Sequence, residues 1–76
     1  MTFIAVSEVV YERGVYRENP ILINITDIST VKKSRSKRRP TIIKMKDAGV
    51  IFCKDEFETV QREIWSLKEV RNGEET

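Results

Sequence analysis

The sequence predicts an α+β domain: a small antiparallel β-sheet of three to five strands with one C-terminal α-helix, over about residues 55–71, packed on one face. Three observations predict it. Short β-branched and apolar segments recur from residue 3 to residue 54. A glycine-bearing turn joins the last two of these segments, and from residue 55 the apolar spacing changes to threes and fours, the period of a helix. A chain of 76 residues makes one domain and buries only about 60% of the surface exposed by its unfolded state. The expected layout is therefore simple, a single domain over residues 1–73 with a frayed tail at 74–76.

In order, residues 3–11 place apolar groups on both parities, Phe3, Ala5, Val9 and Tyr11 against Ile4, Val6 and Val10, and read as a first strand. Arg13-Gly14 and then Glu18-Asn19-Pro20 punctuate the next segment, which reads as a turn or irregular excursion because proline is out of place in a central strand. Ile21, Ile23 and Ile25 then alternate as a second strand. Beyond Thr26-Asp27 the phase slips, so a bulge or bend is expected before a short strand at residues 28–31. Residues 41–46 and 50–54 form a hairpin around Asp47-Ala48-Gly49, with the glycine available for positive φ.

Asp55 reads as the N-cap of the helix, with Glu58 three residues on completing a capping box and Glu56 suiting the positive end of the dipole. Phe57, Val60, Ile64 and Leu67 make one stripe, Glu58 and Arg62 an i,i+4 pair, and Arg71-Asn72-Gly73 a stop. One helix covers one face. Ile4, Val6, Val10, Ile42, Val50 and Phe52 read as a second apolar face, so either the sheet curls around it or another subunit covers it, which points to a homo-oligomer, a dimer in the simplest case.

The order Asn19-Pro20-Ile21-Leu22-Ile23 leading to Ile25 and Ile28, then Thr41-Ile42-Ile43-Lys44-Met45, a glycine turn, Val50-Ile51-Phe52-Cys53-Lys54-Asp55 and Val60 to Ile64, resembles the small flagellar and swarming motility protein family. The resemblance covers residues 19–66 and implies the sheet-plus-helix shape. The chain departs from that pattern by a basic loop and a longer N-terminal segment.

Charge carries the functional signal. Between Asp27 and Asp47 stand Lys32, Lys33, Arg35, Lys37, Arg38, Arg39, Lys44 and Lys46 and no acid, which leaves the remaining six bases facing all 12 acids. Cations this dense stay in solvent or meet an anionic partner. Read as a finger over residues 32–40 between paired strands, the run can neutralise phosphates of DNA or RNA, with Ser34 and Ser36 as small hydroxyl donors. The alternatives to that leading reading are a solvated hairpin tip and a docking surface for an acidic protein. Lys44 and Lys46 share the parity of Ile42 and extend the positive stripe onto a strand, or serve to discourage edge pairing.

Trp65 lies off the helix stripe, where it either anchors a protein partner or covers the sheet edge. Tyr11 and Tyr16 offer rings for base stacking or for strand packing. Cys53 shares the parity of Ile51 and reads as a buried small hydrophobe; a single cysteine and no histidine exclude an internal disulfide and an imidazole base. Capping explains Asp55, Glu56 and Glu58. With no phosphate loop, no cofactor or metal motif, no signal segment and no apolar run near the ~20 residues of a membrane helix, the expectation is a cytoplasmic, non-enzymatic protein that binds nucleic acid or another polyanion. The alternative is an adaptor or inhibitor, of the accessory or phage type, that binds an acidic protein through the loop or Trp65.

Overall fold

The computed structural model describes the backbone of residues 2–75 and the side chains of residues 2–68. Five strands, β1 (Phe3–Glu12), β2 (Val15–Asn24), β3 (Ile28–Lys33), β4 (Thr41–Met45) and β5 (Val50–Cys53), precede one helix, α1 (Phe57–Glu75). The strands form one open antiparallel sheet in the order β2-β1-β5-β4-β3. The α+β architecture expected from the periodicities is the one found.

The segment after Arg13-Gly14 is not irregular. Arg13 and Gly14 have φ of 51° and 78°, the paired positive values of the two-residue turn whose twist suits a hairpin. β2 then pairs with β1 without a break from Glu12 opposite Val15 to Phe3 opposite Asn24. Pro20 is tolerated for two reasons. β2 is an edge strand, and bonded and non-bonded pairs alternate from the turn, so Pro20, opposite Ser7, falls on a non-bonded pair with its nitrogen turned outward.

The bend expected near Thr26 is a 3-10 turn over Ile25–Asp27, started by Asn24, whose side chain accepts from the Thr26 N–H at 3.1 Å. The register of β3 on β4 then shifts between Ile28 and Thr30. This short link joins opposite edges of the sheet. Four strand spacings of about 4.8 Å would hold the edges of a flat sheet about 19 Å apart, whereas four Cα steps from Asn24 to Ile28 reach only about 15 Å at full stretch. The sheet is therefore curled at that end.

Ile4, Val6, Ile23, Ile43, Cys53 and Val60 form the buried core, with Ile21, Ile25, Ile28, Ile64 and Leu67 among the residues packed against it. The register corrects the expected second face. Glu8 lies opposite Cys53, and Thr41 and Ile43 opposite Cys53 and Ile51, so Ile4, Val6 and Val10 share the helix side with them. Ile42, Val50 and Phe52 do lie on the far face, joined there by Phe3, Ala5, Val9, Tyr11, Tyr16 and Leu22.

Two local readings also change. In the Asp47-Ala48-Gly49 turn the positive φ, 75°, belongs to Ala48, while Gly49 donates its N–H to the Asp47 carboxylate at 2.9 Å. Asp55 does not cap α1. Its carboxylate accepts the Ser7 N–H at 2.7 Å and its carbonyl accepts the Thr41 hydroxyl at 2.6 Å, so the helix begins two residues later and Glu56 supplies the carbonyl that accepts the Val60 N–H. At the other end α1 runs past Arg71-Asn72-Gly73 to Glu75; Thr76 of the expected tail lies outside the described residues.

Candidate nucleic-acid interface

β3 and β4 form the base of the basic run, and the register decides which way each cation points. Lys32 stands opposite Ile42 and Lys33 opposite Thr41. Lys32 is therefore on the far face, with Ile42 and Lys44, and Lys33 on the helix face. Lys33 is spent there: its Nζ lies 2.9 Å from the Glu58 carboxylate and 5.6 Å from the centre of the Phe57 ring. The bond from Lys33 holds the Glu58 carboxyl below its ordinary pKa. Glu58 thus turns to the sheet, away from the partner expected at Arg62.

The loop proper is residues 34–40, shorter than expected because β3 extends to Lys33. It does not project as a finger. The Ser34 N–H donates to the Pro40 carbonyl at 2.7 Å, and the hydroxyls of Ser34 and Ser36 accept the N–H groups of Ser36 and Arg39 at 3.1 Å each. Those hydroxyls, read from sequence as donors toward a ligand, are used to shape the loop. The loop then lies back on the far face. The Arg38 guanidinium is 4.8 Å from the centre of the Tyr16 ring; that of Arg39 is 5.6 Å from Tyr16 and 4.5 Å from Phe52.

These contacts cover part of the far apolar face from within the chain. Val9, between Phe52 and the β2 edge, is only 3% exposed although no helix lies over it. Arginine suits this role because its planar, weakly hydrated head stacks on rings while keeping its charge. Of the eight cations, only Lys33 has a carboxylate partner among the described residues. Lys32, Arg35, Lys37, Arg38, Lys44 and Lys46 are exposed. Lys46 lies beyond the end of β4, where its N–H donates to the Asp27 carbonyl at 2.8 Å, so the strand stripe reaches Lys44 and stops.

Beside the loop is a cavity of about 420 Å³ lined by Val9, Tyr16, Glu18, Lys37, Arg38 and Lys54. Glu18 and Lys54 pair across it at 2.9 Å, and the Glu18 carboxylate raises the Lys54 pKa above its ordinary value. Tyr11 packs on Tyr16 with ring centres 4.7 Å apart and planes tilted by 55°. Tyr16 and Phe52 were not recognised as loop anchors from sequence. Phe52 was already legible as a second-face residue, whereas Tyr16 joins it on the face α1 leaves bare only once β2 is read through Pro20.

Trp65 is 63% exposed on the outer side of α1, lining a separate shallow cavity with Glu58, Gln61 and Arg62. Cys53 is fully buried and burial pushes its thiol up to about 12, helped by the Asp55 and Glu8 carboxylates. Among the described residues no group of three or more His, Cys, Asp or Glu could hold a metal, and no helix is long and apolar enough to cross a membrane. No protein-family model, curated protein or solved structure matches the chain.

Proposed function

We propose that this is a small cytoplasmic, non-enzymatic binding protein that holds nucleic acid, or another polyanion, through the charge of its folded-back basic loop. One observation carries the reading: Arg38 and Arg39 rest on aromatic rings and not on carboxylates, so the half-buried Arg39 gives the loop its shape while the charge of the exposed Arg38 stays available. Lys32, Arg35, Lys37 and Lys44 extend the same field over the face opposite α1. Contacts of this kind bind phosphates without reading bases.

The test removes charge without touching the ring contacts. Replacing Lys32, Arg35 and Lys37 by glutamine deletes three cations that are exposed and, among the described residues, unpaired. Each phosphate contact contributes about −0.9 to the log–log salt slope on duplex DNA, so the slope becomes shallower by about 2 to 3 and binding weakens alike for all sequences. Unchanged binding to DNA and RNA removes the reading. The second reading, an adaptor for an acidic protein, is supported by the exposure of Trp65; binding of an acidic polypeptide with none of nucleic acid favours it.

Self-association belongs to the same proposal. Phe3 and Leu22, 46% and 71% exposed, lie with Ala5 on the part of the far face that the loop does not reach, and a second copy would cover them. Sedimentation then gives a dimer that Leu22→Glu converts to monomer; a monomer in the wild type at the same concentration removes this part alone.

A further inference from the structure

Resting on that reading, we infer that the polyanion is a single strand of nucleic acid, one of whose bases enters the cavity between Tyr16, Arg38 and Lys37. The cavity combines features that charge alone does not require. Val9 closes it from below and, at 3% exposure, is itself already covered by its neighbours. One wall is the Tyr16 ring with the Arg38 guanidinium 4.8 Å from its centre, and its remaining lining includes Lys37 and Lys54. Its single acid, Glu18, is neutralised by Lys54 at 2.9 Å and so offers little repulsion to an incoming phosphate.

A flat group that stacks on a ring or a guanidinium plane and carries a negative charge at its rim is a nucleotide. The volume of about 420 Å³ gives one base room to enter. Tyr11 continues the platform outward: it is 53% exposed and its ring centre is 4.7 Å from that of Tyr16, so the adjacent base meets a second ring. A duplex keeps its base faces inside the stack, whereas an unpaired strand splays them toward aromatic and guanidinium planes. Lys37, at the edge of the cavity, and Arg35, in the same loop, are placed to follow the backbone.

Fluorescence anisotropy tests this with three probes at one salt concentration: an oligothymidylate of about twelve nucleotides, within the span one small domain covers, a duplex of the same length, and heparin. The wild type binds the single strand more tightly than the duplex. Tyr16→Ala weakens the single strand about tenfold, as loss of one stacked base does, and leaves heparin within about twofold; Tyr16→Phe retains the affinity, and Tyr11→Ala has a smaller effect of the same pattern. Circular dichroism on each variant shows whether the ribbon is still folded. Equal binding of duplex and single strand, with Tyr16→Ala lowering all three ligands together or none, overturns the inference and leaves the polyanion reading standing. No binding of any of the three overturns both.

Discussion

Replacing Asp55 separates two accounts of the junction where β5 gives way to α1. The Asp55 carboxylate accepts the Ser7 N–H at 2.7 Å, the Lys54 N–H donates to the Ser7 carbonyl at 2.9 Å, and the Thr41 hydroxyl donates to the Asp55 carbonyl at 2.6 Å. One side chain thus ties β1 to the segment that launches the helix, while its carbonyl ties that segment to β4. Losing a hydrogen bond to a charged group costs about 1.5–3 kcal/mol, and the half-buried Ser7 N–H is left without a partner. In a domain of this size each kcal/mol moves Tm by about 4–8 °C, so Asp55→Ala lowers it by about 6 to 24 °C. Asp55→Ser discriminates. Serine is as good an N-cap as aspartate and would rescue a capping role, but its hydroxyl is one carbon too short for the Ser7 contact. Thermal melts followed by circular dichroism, with amide exchange at Ser7, give the answer: both variants fall together and the Ser7 amide loses protection. A serine variant melting with the wild type, or a Ser7 amide still protected in the alanine variant, refutes the argument.

Ala48→Gly stabilises the protein by about 1 kcal/mol, because Ala48 holds a φ of 75° that glycine adopts without strain; the urea midpoint rises with an unchanged slope, and a fall refutes the strain. The Cys53 thiol, pushed up to about 12 from the ordinary 9.0, resists iodoacetamide at pH 8 until denaturant is added. Because the folded value is the higher one, this group's contribution is complete below about pH 9 and is lost as pH rises toward 12; Cys53→Ala removes that part of the alkaline loss of stability. Trp65→Ala leaves nucleic-acid affinity unchanged within about twofold, since Trp65 stands on α1 and the basic loop on the opposite face, and a larger loss would place α1 in the interface.

What the sequence showed and hid follows from how far apart the interacting residues lie. The β4–β5 hairpin was legible because Thr41 to Met45 alternates and its turn is local. β1 was legible as a strand but not in its facing, since apolar residues on both parities leave the phase to the partner strands. Pro20 hid half of β2, because an edge position is a property of the whole sheet. Asp55 and Glu58 have capping-box spacing, yet each is taken by a distant partner, Ser7 and Lys33. The basic run was located from its charges alone. Its posture was not, because Arg38 and Arg39 settle on rings contributed by β2 and β5.

β1 and β5 are joined at a single ladder position, Glu8 opposite Cys53, while β1–β2 and β3–β4–β5 are each zipped along their length by neighbours close in the chain. Contacts within each portion are local in sequence, whereas those that join the two portions close long loops, so topology makes the joining the slower step expected in folding. Side chains bridge what the backbone ladder does not: the buried cluster takes Ile4, Val6 and Ile23 from the tyrosine-bearing β1–β2 ribbon and Ile43 and Cys53 from the other strands. The Glu18–Lys54 pair and the Arg38–Tyr16 contact also cross the β1–β5 seam, so cohesion between the two portions rests on packing and charge more than on strand pairing.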